Sequence, residues 1–207
     1  FLGEHDFQIM HNVQSLTTGE INSIQAKCRP SSPMILASIG TAKNLAEDRR
    51  VITFFANDSR FHLKFFGRGY DALSEFCAQN NINNIEIIGD FPSSATTEYY
   101  RDVDVIISMY GSELTHVKYQ LTNKLYFAAQ LGLPILVSPG TYMDEVVSKY
   151  ELGFALDVND EADKERVLEL YSPDVTATRK KGAVTFLAQV KYDNSQALAR
   201  IKNFLNY

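Results

Sequence analysis

Short, mostly apolar runs alternate along the chain with stretches whose apolar residues fall at helical spacing. The runs at 34–40, 61–66, 85–88, 103–108, 134–137 and 153–156 predict six strands, short and apolar as in a parallel sheet covered on both faces. Between them, 44–57 predicts a helix with Leu45, Ile52 and Phe55 inward, and 71–79 one with Leu73, Phe76 and Cys77 on one side. Pro92-Ser93-Ser94 opens a short helix that ends near Arg101. Leu121, Leu125, Ala128 and Ala129 form one helical stripe, and Gly132 and Pro134 close that helix. Thr141 with Asp144 three residues on is a capping-box pattern. Met143, Val146, Val147 and Tyr150 give the helix it starts a buried face. Acidic helices follow residue 157, and a long helix over about 182–205 finishes the chain. Residues 1–30 carry no clear periodicity, and Arg29 to Pro33 reads as a loop.

This alternation specifies a doubly wound, Rossmann-like α/β fold: about six parallel strands with helices on both faces. It divides the chain into a lead-in segment (1–30), a sheet domain (31–181) and a C-terminal helix (182–207). Ligands in such folds lie outside the carboxyl ends of the strands. Those ends are 40–43, 67–69, 89–90, 108–111 and 138–141.

Composition narrows the function classes. At 207 residues, 45% hydrophobic, with 13 Phe and 11 Tyr, the chain supplies the core of one large domain. A net charge of -5 argues against a nucleic-acid surface, which needs a clustered basic stripe. The nearest such cluster, Arg179-Lys180-Lys181, reads as a solvated helix start. No apolar run reaches the ~18 residues of a membrane span. Cys28 and Cys77 make no disulfide or metal framework and suit a reducing cytosol. The chain starts at Phe1 without a signal-peptide pattern, which points to a cytoplasmic protein and to a piece of a longer one.

Two helix starts offer anion sites through their orphan N–H groups: Asn123-Lys124, and the loop Ser138, Gly140, Thr141. A lysine in a first helical turn opposes the dipole, so Lys124 reads either as the partner of a bound anion or as a solvated surface lysine. Lys43, Lys118 and Lys124 could converge on one crevice and stabilise a diphosphate leaving group. Tyr110, beside Gly111, either stacks a base or packs its loop. Gly67 to Ala72 matches G-x-G-x-x-A, with Asp90 past the next strand, so it reads either as a dinucleotide fingerprint or as a tight turn. His5, His11, His62 and His116 show no metal spacing, and each reads as structural or solvated. No Gly-x-Ser-x-Gly elbow is present. Asp90, Asp102, Asp104 and Glu113 cluster at strand ends without singling out a general base.

The block NKLYFAAQLGLPILVSPGTYMDEVVSKYELGFALD resembles the donor-binding half of GT-B glycosyltransferases, above all the bacterial enzymes that build capsular and other surface polysaccharides. FHLKFFGRG resembles their Gly-x-Gly strand end, and NIEIIGDFPSSATTEYYRDVDVIIS their segment of strand, Gly-x-x-Pro, short helix and strand. HNVQS resembles the segment leading out of their N-terminal domain. The likeness covers residues 8–160, and the last helix suits the helix that crosses back in this fold. It implies a nucleotide-diphospho-sugar donor, most simply a UDP-sugar, bound without an essential metal. It implies transfer of a hexosyl group to a growing surface glycan or glycolipid, in the cytoplasm or at the inner face of the plasma membrane. Lys43, Asn123, Lys124 and the 138–141 loop match the places where this family meets the diphosphate. The retaining branch of the family uses two glutamates seven residues apart, and the second position is Phe127 here. The Arg that commonly follows the first-strand glycine is Thr41. The N-terminal acceptor domain, a partner on this reading, is outside the sequence, so the chain alone is expected to be inactive. The alternatives are a non-catalytic, transferase-like subunit that binds a partner, and an NAD-dependent oxidoreductase domain built on Gly67 to Ala72.

Overall fold

The computed structural model describes residues 9–14, 16–25, 30–113 and 115–205, so His5 and Cys28 lie outside the described residues. The strands are β1 (Met34–Ile39), β2 (Phe61–Phe66), β3 (Ile85–Ile88), β4 (Val105–Ser108), β5 (Ile135–Val137) and β6 (Gly153–Ala155). The helices are α1 (Thr18–Gln25), α2 (Leu45–Phe54), α3 (Ser74–Gln79), α4 (Thr96–Tyr99), α5 (Thr115–Lys118), α6 (Asn123–Leu131), α7 (Tyr142–Lys149), α8 (Ala162–Glu169) and α9 (Pro173–Leu205). All six strands are parallel, in the order β3-β2-β1-β4-β5-β6. The strand order therefore reverses between β1 and β4, the doubly wound topology expected.

Alternate residues of each strand feed two cores. Ala37, Ile39, Ile106, Ile135 and Val137 pack with α6, α7 and α9 on one face. Leu36, Leu63, Phe65, Val105, Ile107 and Leu136 pack with α2, Cys77 of α3 and Val167 of α8 on the other. Each fully buried side chain of this kind is worth about 1.5–3 kcal/mol, so the strands need no alternating pattern to hold their place. The pairing is uneven along the sheet. β1 and β2 are in register over six residues, β1 and β4 over only two, Leu36 with Val105 and Ala37 with Ile106.

Four local features differ from the sequence reading. The lead-in segment contains α1, started by a reciprocal cap: Glu20 N–H donates to Thr17 Oγ1 (3.2 Å), and Thr17 N–H donates to Glu20 Oε2 (2.7 Å). Residues 71–79 split into a 3-10 turn, Tyr70–Leu73, and α3. The loop after β4 carries α5. The last helix begins at Pro173 rather than near 182, and takes in Arg179, which is buried and not solvated.

Arg179 is placed by two helix ends. Its Nε donates to the Gly132 carbonyl (3.2 Å) and its Nη1 to the Leu170 carbonyl (2.6 Å). These two residues are the C-caps of α6 and α8, where unsatisfied carbonyls carry partial negative charge. Burial pushes the guanidinium below its ordinary pKa without neutralising it. Arg179→Leu removes both donors from buried carbonyls and is expected to destabilise the fold by about 2 kcal/mol. Urea unfolding measures it; a loss under about 0.5 kcal/mol would mean that water satisfies both carbonyls.

α9 also lies close to the end of α7. A Cβ built on Gly182 would fall 1.7 Å from the Tyr150 carbonyl oxygen. Near its other end α9 fastens the lead-in segment. His11 Nδ1 lies 3.0 Å from the Tyr126 hydroxyl and its Nε2 3.1 Å from Asp193 Oδ2. Asn194 exchanges hydrogen bonds with the His11 backbone. His11 is thus structural, as the sequence reading has it. No described helix is long and apolar enough to cross a membrane.

Candidate functional site

The reversal of strand order opens a crevice at the carboxyl ends of β1 and β4. It has a volume of about 450 Å³ and is lined in part by Gly40, Thr41, Lys43, Tyr110, Asn123 and Lys124. A second hollow of about 600 Å³ adjoins it, sharing Gly40, Thr41, Ser93 and Thr96 and reaching Gly67, Arg68 and Asp90. The floor depends on one close approach. Gly67 (φ 129) passes so near β1 that a Cβ would lie 1.8 Å from the Gly40 carbonyl oxygen.

α6 aims its N-terminus at the crevice. Its N-cap, Thr122, makes no side-chain cap bond, because its Oγ1 pairs with Ser108 Oγ (3.0 Å). Leu125 N–H turns back to the Thr122 carbonyl (3.0 Å), and the amides of Asn123 and Lys124 are left for solvent or a ligand. Lys124, in the first turn, is 5% exposed. Its Nζ donates to Ser38 Oγ (2.6 Å) and to the Ile107 carbonyl (3.0 Å). Ser38 Oγ is also 2.7 Å from the Tyr70 hydroxyl. Burial works against the charge of Lys124, but the oxygens of Tyr110, Tyr70 and Tyr100 outweigh it and hold its pKa above the ordinary lysine value.

The candidate residues divide into three groups. Lys43, Tyr110, Asn123 and Lys124 meet in the crevice. Lys43 is exposed, donates to Gln120 Oε1 (3.1 Å), and lies 5.3 Å from the Tyr110 ring centroid, while Lys124 lies 5.1 Å from it. The Tyr110 ring is 7% exposed, so it serves as packing between two ammonium groups rather than as an open stacking face. Ser138, Gly111 and Thr141 stand behind Tyr110. Ser138 Oγ accepts the N–H groups of both Tyr110 and Gly111 at 2.9 Å. Gly140 and Thr141 are spent on capping α7: Asp144 N–H donates to Thr141 Oγ1 (3.2 Å), and Gly140 N–H donates to Asp144 Oδ2 (3.0 Å). A carboxylate thus already occupies the α7 start, and of the two anticipated anion sites α6 is the open one.

Other readings resolve in the same way. Lys118 faces the Tyr119 ring (6.0 Å) and is not among the crevice residues. Gly67 to Ala72 makes a tight turn into a 3-10 helix, and Asp90 is ion-paired with Arg68 at 3.2 Å. Asp104 is fully buried at the opposite end of β4, where it accepts the N–H groups of Ser31 and Ile35. Phe127 lines the crevice wall and stacks on Tyr100, with ring centroids 4.9 Å apart. Among the described residues no group of three or more His, Cys, Asp or Glu is placed to hold a metal ion.

Sequence reasoning missed Ser38, Tyr70 and Asp48. Asp48 had a signal: it lies on the same helical stripe as Leu45, Ile52 and Phe55, a charge on an apolar face.

No protein-family model and no curated protein matches the sequence. Solved structures do match its fold. HepE of Anabaena, in complex with UDP-glucose, aligns over 91% of this chain and 54% of its own, with a TM-score of 0.61 and 12% identity. A glycosyltransferase from Rickettsia africae aligns over 92% and 53%, with a TM-score of 0.57 and 13% identity. WaaG, a glycosyltransferase involved in lipopolysaccharide biosynthesis, aligns over 86% and 48%, with a TM-score of 0.52 and 13% identity. The chain thus spans about half the length of each and has the Rossmann-like fold of one half of these proteins, in agreement with the resemblance to GT-B glycosyltransferases.

Proposed function

We propose that this chain is the donor-binding half of a glycosyltransferase that takes a UDP-sugar and passes a hexosyl group to a surface glycan or glycolipid. The observation that carries this reading is the uncapped start of α6 beside Lys124 and Lys43, at the point where strand order reverses. A nucleoside diphosphate is the ligand that such a place suits. It brings two negative charges, and its departure as a leaving group needs cations and N–H dipoles fixed in advance. On this reading Lys124 and the α6 amides meet the phosphate nearest the helix, and Lys43 neutralises charge from the rim. Asn123 positions the donor, and Tyr110, Gly111, Ser138, Gly140 and Thr141 keep the opposite wall in place. The two adjoining hollows leave room for base and sugar on either side of the diphosphate. On this reading the donor domain runs from residue 31 to the start of α9 at Pro173, with the first turns of α9 packed on it, and the acceptor site lies in a further domain.

The first test is thermal unfolding with UDP, UDP-glucose and NAD. At a hundredfold excess over Kd a ligand adds about 2.7 kcal/mol, or roughly 5–10 °C for a chain of this size. UDP and UDP-glucose are expected to raise the midpoint and NAD to leave it unchanged. A shift with NAD alone would restore the oxidoreductase reading, and no shift with any of the three would point to the partner-binding subunit.

A further inference from the structure

Asp48 lies in the first turns of α2 with 1% of its surface exposed, and its Oδ2 has no hydrogen-bond partner among the described residues. A carboxylate so placed must find a counter-charge or a proton, because an isolated buried charge costs several kcal/mol. Three titratable groups are coupled to it electrostatically. Its charge feels Lys124 of α6 and Glu47 of its own helix, where Glu47 is tied to Arg50 at 2.9 Å, and it acts in turn on the Tyr70 hydroxyl of the turn after β2; no ion pair within 4 Å joins Asp48 to Lys124. Lys124 attracts Asp48, while its own hydrogen bonds go to Ser38 and Ile107. Burial outweighs that attraction and pushes the Asp48 carboxyl up to about 7. The charge of Lys124, drawn into the core by Ser38 and Ile107, is therefore within electrostatic reach of a buried, titrating carboxyl.

We propose, building on the donor-site reading, that Asp48 is a proton-linked positioning residue for Lys124. With the crevice empty, its carboxylate helps to hold the ammonium in the core. When a nucleoside diphosphate draws that ammonium outward, Asp48 takes one proton from solvent and becomes the neutral acid. The compensation moves from carboxylate to phosphate, and no bare charge stays in the interior. The sign follows directly. Binding removes a nearby cation and adds anions, and both raise the Asp48 pKa above its empty-site value. Protons are taken up on binding, so affinity is highest below the empty-site pKa. It falls as pH rises through that pKa, by at most about tenfold per pH unit, and levels off above the bound-state value.

The experiment is calorimetric titration of the full chain with UDP-glucose, which carries no group that titrates near neutral pH. Two buffers of different ionisation enthalpy read the protons taken up. The wild-type protein is expected to take up a fraction of a proton near neutral pH and to lose affinity toward alkaline pH. Asp48→Asn is expected to take up none and to keep the wild type's acidic-side affinity throughout, a change that a merely structural role would not produce. The 13C signal of the Asp48 carboxyl in the wild-type chain, followed against pH with and without ligand, gives the same answer without a variant; its midpoint should rise on binding. Equal uptake by both proteins, or a midpoint that ligand does not move, overturns the proposal and leaves the donor site standing. Failure of the wild-type chain to bind UDP-glucose overturns both.

Discussion

Lys124→Met is expected to lower affinity for UDP-glucose about 100-fold. A hydrogen bond between a charged donor and a phosphate oxygen is worth about 1.5–3 kcal/mol where water is excluded, and each 1.4 kcal/mol is tenfold. At 5% exposure Lys124 stands at the upper end of that range. Methionine keeps an unbranched stem in the same channel, Ser38 keeps its Tyr70 partner, and Asp48 can take a proton in place of the lost cation. The fold is therefore expected to survive, which far-UV circular dichroism would establish before binding is measured. Lys43→Met is the comparison. Lys43 is exposed, and an exposed charge pair contributes below about 1 kcal/mol, so the loss should be under about fivefold and should shrink with added salt. Similar losses at both positions would put the diphosphate at the rim. An unchanged affinity in the Lys124 variant would remove it from the site.

Gly182→Ala is expected to destabilise the chain by about 3 kcal/mol, although it replaces glycine by alanine inside a helix. Propensity alone favours the change by about 1 kcal/mol. Packing opposes it: the new methyl would lie 1.7 Å from the backbone oxygen of Tyr150, where no rotamer can yield. α9 would have to move off α7, loosening Phe186 from Tyr150 and Tyr126, with which it makes ring contacts at 5.2 and 5.9 Å. Overpacking of this kind costs roughly 1–3 kcal/mol, and more where backbone must shift, so the clash decides the sign. The midpoint of thermal unfolding should fall by roughly 6–12 °C for a chain of this size. A rise would mean that α9 is free to slide along α7.

The parallel sheet and most helices were legible because the sequence states them redundantly, whereas the order of the strands comes from the structure. The strand runs are rich in apolar residues, and Thr141 with Asp144 and Gly132 mark helix ends by specific chemistry. α1 was legible and overlooked, since Thr17 and Glu20 have the capping-box spacing but lack a long apolar stripe behind them. Arg179 could not be read from its neighbours. Its burial depends on two carbonyls that come from the ends of separate helices, and a run of three basic residues looks the same whether or not such acceptors exist. The same holds for the site. Lys43 and Lys124 could be placed near strand ends by order alone, but which loop donors remain free is settled by tertiary contacts. Ser138, Gly140 and Thr141 have the composition of an anion loop, yet their polar atoms hold Tyr110, Gly111 and Asp144.

The short pairing between β1 and β4 bears on how the protein opens. Two residues are in register there, against three between β4 and β5, three between β5 and β6 and six between β1 and β2, so sub-global unfolding is expected to part the sheet along this line, with β1 to β3 on one side and β4 to β6 on the other. The crevice straddles the same line: Lys43 comes from the first side, Lys124 and Tyr110 from the second. A diphosphate bridging the two lysines would act as a cross-brace on the sheet. The backbone amide of Asp104, which donates to the Ile35 carbonyl across this boundary (2.9 Å), would then exchange its hydrogen more slowly as the crevice fills, while amides that open by local fraying would keep their rates.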